Sequence, residues 1–129
     1  MTTYQPPKGM PDFYAQEKAV QNAIFDNMRA TAKSFAFQEV EPPVIETFAL
    51  LSAKSGEEIK NQIFMLEKKG TEELALRPEF TPGFARMYVA KERELAKPVK
   101  WFTSNRVWRY EAPQKGRLRE FYQLNCKLS

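Results

Sequence analysis

The sequence predicts an α+β fold, and three observations predict it. Apolar residues recur every three or four positions over residues 14–35, the period of a helix buried along one side. A second helical stretch opens at Thr81-Pro82. Near the C-terminus, two runs rich in aromatic and β-branched residues flank a polar loop, the pattern of a β-hairpin. The 129 residues suffice for one domain, residues 1–129, and no repeat or linker divides them.

Residues 1–10 carry Pro6, Pro7 and Gly9 and read as an extended arm. Pro11 and Asp12 then signal a helix start. Val20, Ile24, Met28, Ala32 and Phe35 form the expected buried stripe, uninterrupted by proline or glycine. In FQEVEPPVIE, residues 37–46, Val40, Val44 and Ile45 favour a strand, but Pro42 and Pro43 restrict it to a sheet edge or an interface. Residues 48–52 suit a short helical turn, and residues 54–62, around Gly56, a charged connection. Residues 63–66 and 74–76 are short strands joined by a turn at Gly70. Thr81 is the expected N-cap, with Pro82 at the first helical position. Phe84, Met87, Tyr88 and Leu95 share one side of that helix, which should end near Ala96, before Pro98. Residues 99–103 form a strand ahead of the hairpin.

Hydrophobic residues make up 43% of the chain, so a packed core is expected. The net charge of +4 permits a nucleotide or nucleic-acid partner without requiring one. The single cysteine, Cys126, excludes an internal disulfide, and its place on an apolar strand side predicts a buried thiol. No apolar run approaches the roughly 18 residues of a membrane span, and the N-terminus lacks a signal-peptide core. No membrane partner and a cytoplasmic location are therefore expected. The chain has no histidine. That removes Ser-His-Asp and Cys-His nucleophile arrangements and the commonest metal ligand. Its chemistry must rest on carboxylates, cations and a metal ion carried in with a nucleotide.

Residues 106–124 carry the most information. Side chains alternate along a strand, so Arg109 and Glu111 share one face while Trp108 and Tyr110 take the other. In the second run Arg119, Phe121, Gln123 and Asn125 share a face. Tyr122, Leu124 and Cys126 take the other, expected to pack on a core. The loop holds Pro113 and Gly116 and adds Lys115 and Arg117. A ring beside guanidinium forks suits a ligand with a base and phosphates, although an ordinary solvated hairpin fits the same pattern. A second constellation is Arg77, Glu79 and Thr81, where a strand ends and a helix opens. Together they could hold an amino acid by both charged ends. Alternatively, Glu79 and Thr81 cap the helix and Arg77 pairs with a surface acid.

KGMPDF, VEPPVIE, LRPEFTP and RVWRYEAPQKGRLREFYQLN, in this order, resemble the N-terminal part of the catalytic domain of histidyl-tRNA synthetase, a class II aminoacyl-tRNA synthetase. PQKGR followed by REFYQLN is the most specific match. Residues 35–46 look like motif 1, with Pro43 its hallmark proline; residues 76–82 look like the histidine-binding segment, and residues 106–126 like motif 2. The resemblance implies an antiparallel sheet flanked by helices, a class II catalytic core that is incomplete here, with a homodimer interface formed by motif 1. It implies that Arg109 is catalytic, contacting the α-phosphate of ATP and the amino-acid carboxylate. Glu111 would lie at the adenine end, Phe121 would stack on adenine, and Arg117 and Arg119 would approach the phosphates. Glu79, Thr81 and Gln123, with the backbone near Phe80, would hold histidine. The implied ligands are ATP with Mg²⁺, L-histidine and tRNA(His).

Two departures matter. Lys127 stands where the family places an acid that helps bind the substrate ammonium. The likeness also covers only the early part of a family member, without motif 3, so activation of histidine by this chain alone is not expected. A non-catalytic paralogue, such as the regulatory subunit of ATP phosphoribosyltransferase, is the alternative. The cationic loop argues against it and Lys127 for it. A basic RNA-binding module built on Arg106, Arg109, Lys115, Arg117 and Arg119 is a third reading, weakened by Glu111 and Glu120.

Overall fold

In the computed structural model, which describes residues 2–111 and 117–129, the periodic N-terminal stretch is a helix, α1 (Ala15–Ser34). It ends where Ala36 turns left-handed, at φ 65°. The Phe37 N–H donates to the Ala32 carbonyl (3.1 Å) and the Ala36 N–H to the Lys33 carbonyl (2.9 Å). This is a Schellman closure with alanine where glycine is usual. The expected stripe is off by about one residue. The half-buried line runs through Lys18, Gln21, Phe25, Met28 and Ala32, whereas Val20, Ile24 and Phe35 are 62%, 49% and 65% exposed. The cause is the contact of Phe25 with Tyr122 on the sheet, ring centroids 4.4 Å apart, which turns the Phe25 side inward.

The main sheet has the order β1-β4-β5, with β1 (Gln38–Glu39), β4 (Lys100–Trp108) and β5 (Glu120–Leu128). Its central pairing is antiparallel, from Lys100 opposite Leu128 to Trp108 opposite Glu120. β1 adds a short parallel edge, Gln38 opposite Trp101. The strand expected at 99–103 and the first run of the hairpin are one continuous β4, because no proline or glycine interrupts them. The expected loop features Pro113, Lys115 and Gly116 lie outside the described residues.

A second sheet pairs β2 (Ile45–Thr47) with β3 (Leu74–Leu76) in antiparallel fashion. Pro42 and Pro43 delay β2 until Ile45, consistent with their inability to donate to a ladder. The strand expected at 63–66 reduces to one bridge, Met65 with Ala75. Helix α2 (Phe48–Ser55) is capped by Thr47, whose Oγ1 accepts from the Leu50 N–H at 3.3 Å. A 3₁₀ turn at Glu57–Asn61 replaces much of the expected charged connection.

Helix α3 (Thr81–Lys91) begins one residue earlier than expected: Phe80 is the N-cap, and Thr81 makes no capping bond. It stops at Lys91, short of Ala96, and tightens into a 3₁₀ turn at Glu92–Glu94. Gly83 lets α3 press on Pro42, since a Cβ there would stand 2.7 Å from the proline Cβ.

The first core cluster joins α3 to β4, with Phe80, Phe84, Val99, Trp101 and Val107 buried and Phe121 packed against them. The second lies under α2, with Phe48, Leu51, Ile63 and Ala75. The main core therefore sits on the Phe121 face of the hairpin, which the alternation marked as polar. The Tyr122 face is covered by α1 only in part, so Leu124 is 40% exposed and Cys126 is exposed rather than buried. A groove of about 450 Å³ between α1 and β5 opens beside both.

Candidate functional site

The site lies where β4 and β5 end toward the hairpin loop. Pairing continues past Trp108, with the Arg109 N–H donating to the Arg119 carbonyl at 2.9 Å. The Arg109 side chain leaves on the Phe121 face, its guanidinium 5.3 Å from the Phe121 ring centroid. Its Nε donates to the Pro78 carbonyl at 3.1 Å. Arg109 is thus held by a ring and a carbonyl from two different elements.

A cavity of about 260 Å³ is lined by Arg109, Glu111, Arg117, Leu118 and Phe121. Two guanidinium groups, one carboxylate and an aromatic ring offer charge-assisted donors for phosphates and a flat face for a base. A second cavity, of about 400 Å³, includes Glu58, Gln62, Glu79, Arg109 and Glu111 in its wall. It has three carboxylates against one guanidinium, which favours a small molecule carrying a positive group. Arg109 and Glu111 line both cavities, so the two meet there.

The remaining expected residues are placed as follows. Phe80 is fully buried in the core, so only its backbone can serve a ligand. Thr81 and Glu79 line a mostly apolar cavity of about 260 Å³ between α2 and α3. Thr81 also shares a cleft of about 240 Å³ with Lys127, Tyr88 and Trp101. Gln123 lies in β5 opposite Asn105, and its Oε1 is buried with no hydrogen-bond partner among the described residues. Arg119 packs against the end of the first hairpin run. Its guanidinium stands 4.4 Å from the Tyr110 ring centroid, and its Nε donates to the Glu111 carbonyl at 2.7 Å. Its backbone N–H donates to the Gly9 carbonyl at 2.9 Å, fastening the N-terminal arm.

Arg77 is bonded to backbone carbonyls and, among the described residues, forms no ion pair with a surface acid. It is 2% exposed. Its Nε donates to the Arg106 carbonyl and its Nη1 to the Pro42 carbonyl, each at 2.9 Å. Burial lowers its pKa from the ordinary value, and Glu41 and Glu46 oppose that. The contacts are local to strand ends and carbonyls, which residue type and spacing do not reveal.

Glu58 and Gln62 were missed. The segment SGEEIKNQ reads as a charged connection, and what brings it to the hairpin is a bond from the Tyr110 N–H to the Gln62 carbonyl at 2.9 Å. No short-range pattern announces that pairing. Glu58, Glu79 and Glu111 are hard oxygen donors. Among the described residues, however, no group of three metal-capable side chains gathers at one point. No helix among them is long and apolar enough to cross a membrane.

A sequence profile of histidyl-tRNA synthetase matches residues 9–128. The chain belongs to the histidyl-tRNA synthetase family. It is 44% identical over 125 residues to the histidine–tRNA ligase of Haloarcula marismortui, an alignment covering 97% of this chain and 29% of that protein. The structure of histidyl-tRNA synthetase from Nostoc sp. PCC 7120 superposes with a TM-score of 0.82 and 27% identity, over 96% of this chain and 28% of that one. An ATP phosphoribosyltransferase regulatory subunit/histidyl-tRNA synthetase from Bacillus halodurans shares the fold, with a TM-score of 0.84 at 24% identity over 99% of this chain and 33% of that one. The fold is that of the class II histidyl-tRNA synthetases, and the chain spans under a third of the length of the curated relatives it matches.

Proposed function

We propose that this chain is the nucleotide- and amino-acid-binding portion of a histidine–tRNA ligase, a single partial catalytic domain that takes ATP with Mg²⁺ and L-histidine for transfer to tRNA(His). The observation that supports this most is the meeting of two cavities of opposite polarity at Arg109. In the reaction, the histidine carboxylate attacks the α-phosphorus of ATP, the bond to pyrophosphate breaks, and pyrophosphate leaves with its magnesium. No proton need move in that step, so a chain without histidine can support it. What the step needs is alignment and neutralisation of like charges. Arg109, at the junction, faces both the α-phosphate and the attacking carboxylate. Phe121 offers its ring to adenine, Glu111 stands at the adenine end, and Arg117 reaches the outer phosphates. Arg119, whose Nε donates to the Glu111 carbonyl, approaches the same phosphates.

On the amino-acid side, Glu79 supplies a carboxylate to the substrate ammonium and Thr81 a hydroxyl. Gln123, whose Oε1 is buried and unpaired among the described residues and lines none of these cavities, accepts from the ammonium once its side chain turns toward the ligand. The backbone at Phe80 closes that end. The exposed Val20 and Ile24 of α1, with residues 35–46, form the surface through which two copies pair. The compartment we infer is the cytoplasm, where such a ligase meets its tRNA.

A second reading, a regulator that senses histidine without activating it, is favoured by one observation: Lys127 shares a cleft with Thr81. Histidine-dependent exchange of pyrophosphate into ATP separates the two. The chain is to be mixed with the remaining part of a family member, so that the rest of the active site is supplied. Exchange that requires both histidine and this chain supports the ligase. Histidine binding without exchange overturns it in favour of the regulator.

A further inference from the structure

We infer that Arg77 is a positioning residue, through which the proline segment ahead of β2 sets the aim of Arg109. The consequence for nucleotide binding rests on the reading of Arg109 above; the geometry stands without it.

Arg77 is bonded on both sides. Toward the proline segment, its N–H donates to the Val44 carbonyl at 2.9 Å and its Nη1 to the Pro42 carbonyl at 2.9 Å. Toward the hairpin, its carbonyl accepts from the Trp108 N–H at 3.0 Å and its Nε donates to the Arg106 carbonyl at 2.9 Å. The guanidinium lies between two rings, 4.8 Å from the Phe80 centroid and 5.8 Å from that of Trp108. The sheets β1-β4-β5 and β2-β3 share no strand, and Arg77 is where β3 meets the end of β4.

The next residue is Pro78, whose carbonyl holds Arg109 Nε at 3.1 Å. Proline fixes φ, so the path from the Arg77 backbone to that carbonyl carbon is set, and only ψ of Pro78 is left to turn the oxygen that Arg109 Nε holds. On the other side, Pro42 is backed by α3 at Gly83, where even a Cβ would clash at 2.7 Å. A buried guanidinium cannot give up its carbonyl partners cheaply. When residues 42–44 shift, Arg77 must follow, and with it the Pro78 carbonyl and Arg109. Lysine cannot replace it, because a single ammonium cannot span two carbonyls with a planar fork.

The test uses the whole chain, labelled with ¹⁵N, and reads solvent exchange of arginine Nε–H groups by NMR. Arg77→Lys is expected to speed exchange at Arg109 Nε–H at least tenfold. Arg29 Nε–H, bonded to Glu39 at 3.1 Å on the opposite side of the sheet, should not change. A merely structural residue would lower the melting temperature without this selectivity. Unchanged exchange at Arg109 in folded Arg77→Lys, or equal acceleration at Arg29, overturns the inference. Should Arg77→Lys not fold, wild type in low urea decides. Arg77 and Arg109 Nε–H are expected to open together with the same urea dependence. Protection of Arg109 after Arg77 has opened overturns the inference. A further arm measures Mg-ATP affinity. The loss caused by Arg77→Lys should vanish in an Arg109→Ala background, and an equal loss in both backgrounds counts against it. The exchange experiment needs no nucleotide, so failure of ATP to bind would sink the site reading while leaving the exchange result to stand or fall by itself.

Discussion

Reversing the charge at Lys127 is expected to tighten histidine binding, and the exposure of Lys127 limits the size of the effect. Lys127 lies in β5 opposite Trp101 and shares a cleft with Thr81, which the proposed function assigns to the amino-acid side. A buried lysine about 4 Å from the substrate ammonium would repel it by about 4 kcal/mol at an effective dielectric near 20. Lys127 is exposed, however. Water then screens the pair, and the repulsion at the same distance falls to about 1 kcal/mol. Lys127→Met should therefore improve the histidine Kd about fivefold. Lys127→Glu, which turns that repulsion into an attraction of equal size, should gain about 2 kcal/mol, roughly thirtyfold. Both gains should shrink as salt is raised, because exposed charges are screened. Calorimetric titration of histidine into the three proteins at low and high salt reads the effect. Equal affinities, or a Glu variant no better than the Met variant, would refute the reasoning.

Three further outcomes follow from the packing. Ala36→Gly should stabilise the chain by about 0.5–1 kcal/mol in urea denaturation, since Ala36 pays for a left-handed φ of 65° that glycine adopts freely. Gly83→Ala should destabilise it by about 1–3 kcal/mol, because the clash with Pro42 outweighs the helix propensity gained; unchanged stability would mean that α3 can back away. Ile24→Glu, on the exposed side of α1, should weaken self-association in sedimentation without lowering the melting temperature, and an unchanged association state would remove α1 from the interface.

Much of the hairpin was legible because strand alternation is strict. Arg109, Glu111 and Phe121 share one cavity, as their positions in the two runs imply. The helices were legible in existence, since a 3.6-residue period and Thr81-Pro82 are local signals. Which side of α1 is buried was not legible, because one long-range contact, Phe25 with Tyr122, decides it. The inner face of the hairpin was misread for a related reason. Gln123 and Asn125 look polar in sequence, but their face also carries Trp101 and Val107 from the partner strand, and these build the core. Arg77 and Glu58 were hidden differently. The first is buried by backbone carbonyls from distant segments, and the second is brought to the cavity by the 3₁₀ turn after α2. Side chains like these are placed by tertiary pairing, which no window of sequence contains.

The central claim is that Arg109 joins a nucleotide lobe to an amino-acid lobe. The most direct measurement is calorimetric titration of Mg-ATP into wild type and Arg109→Ala at fixed salt. Removing a charge-assisted phosphate contact should cost about 1.5–3 kcal/mol, roughly 10- to 150-fold in Kd, and the melting temperature of Arg109→Ala verifies that the chain compared is folded. Equal affinities for the folded wild-type and variant chains would contradict the account.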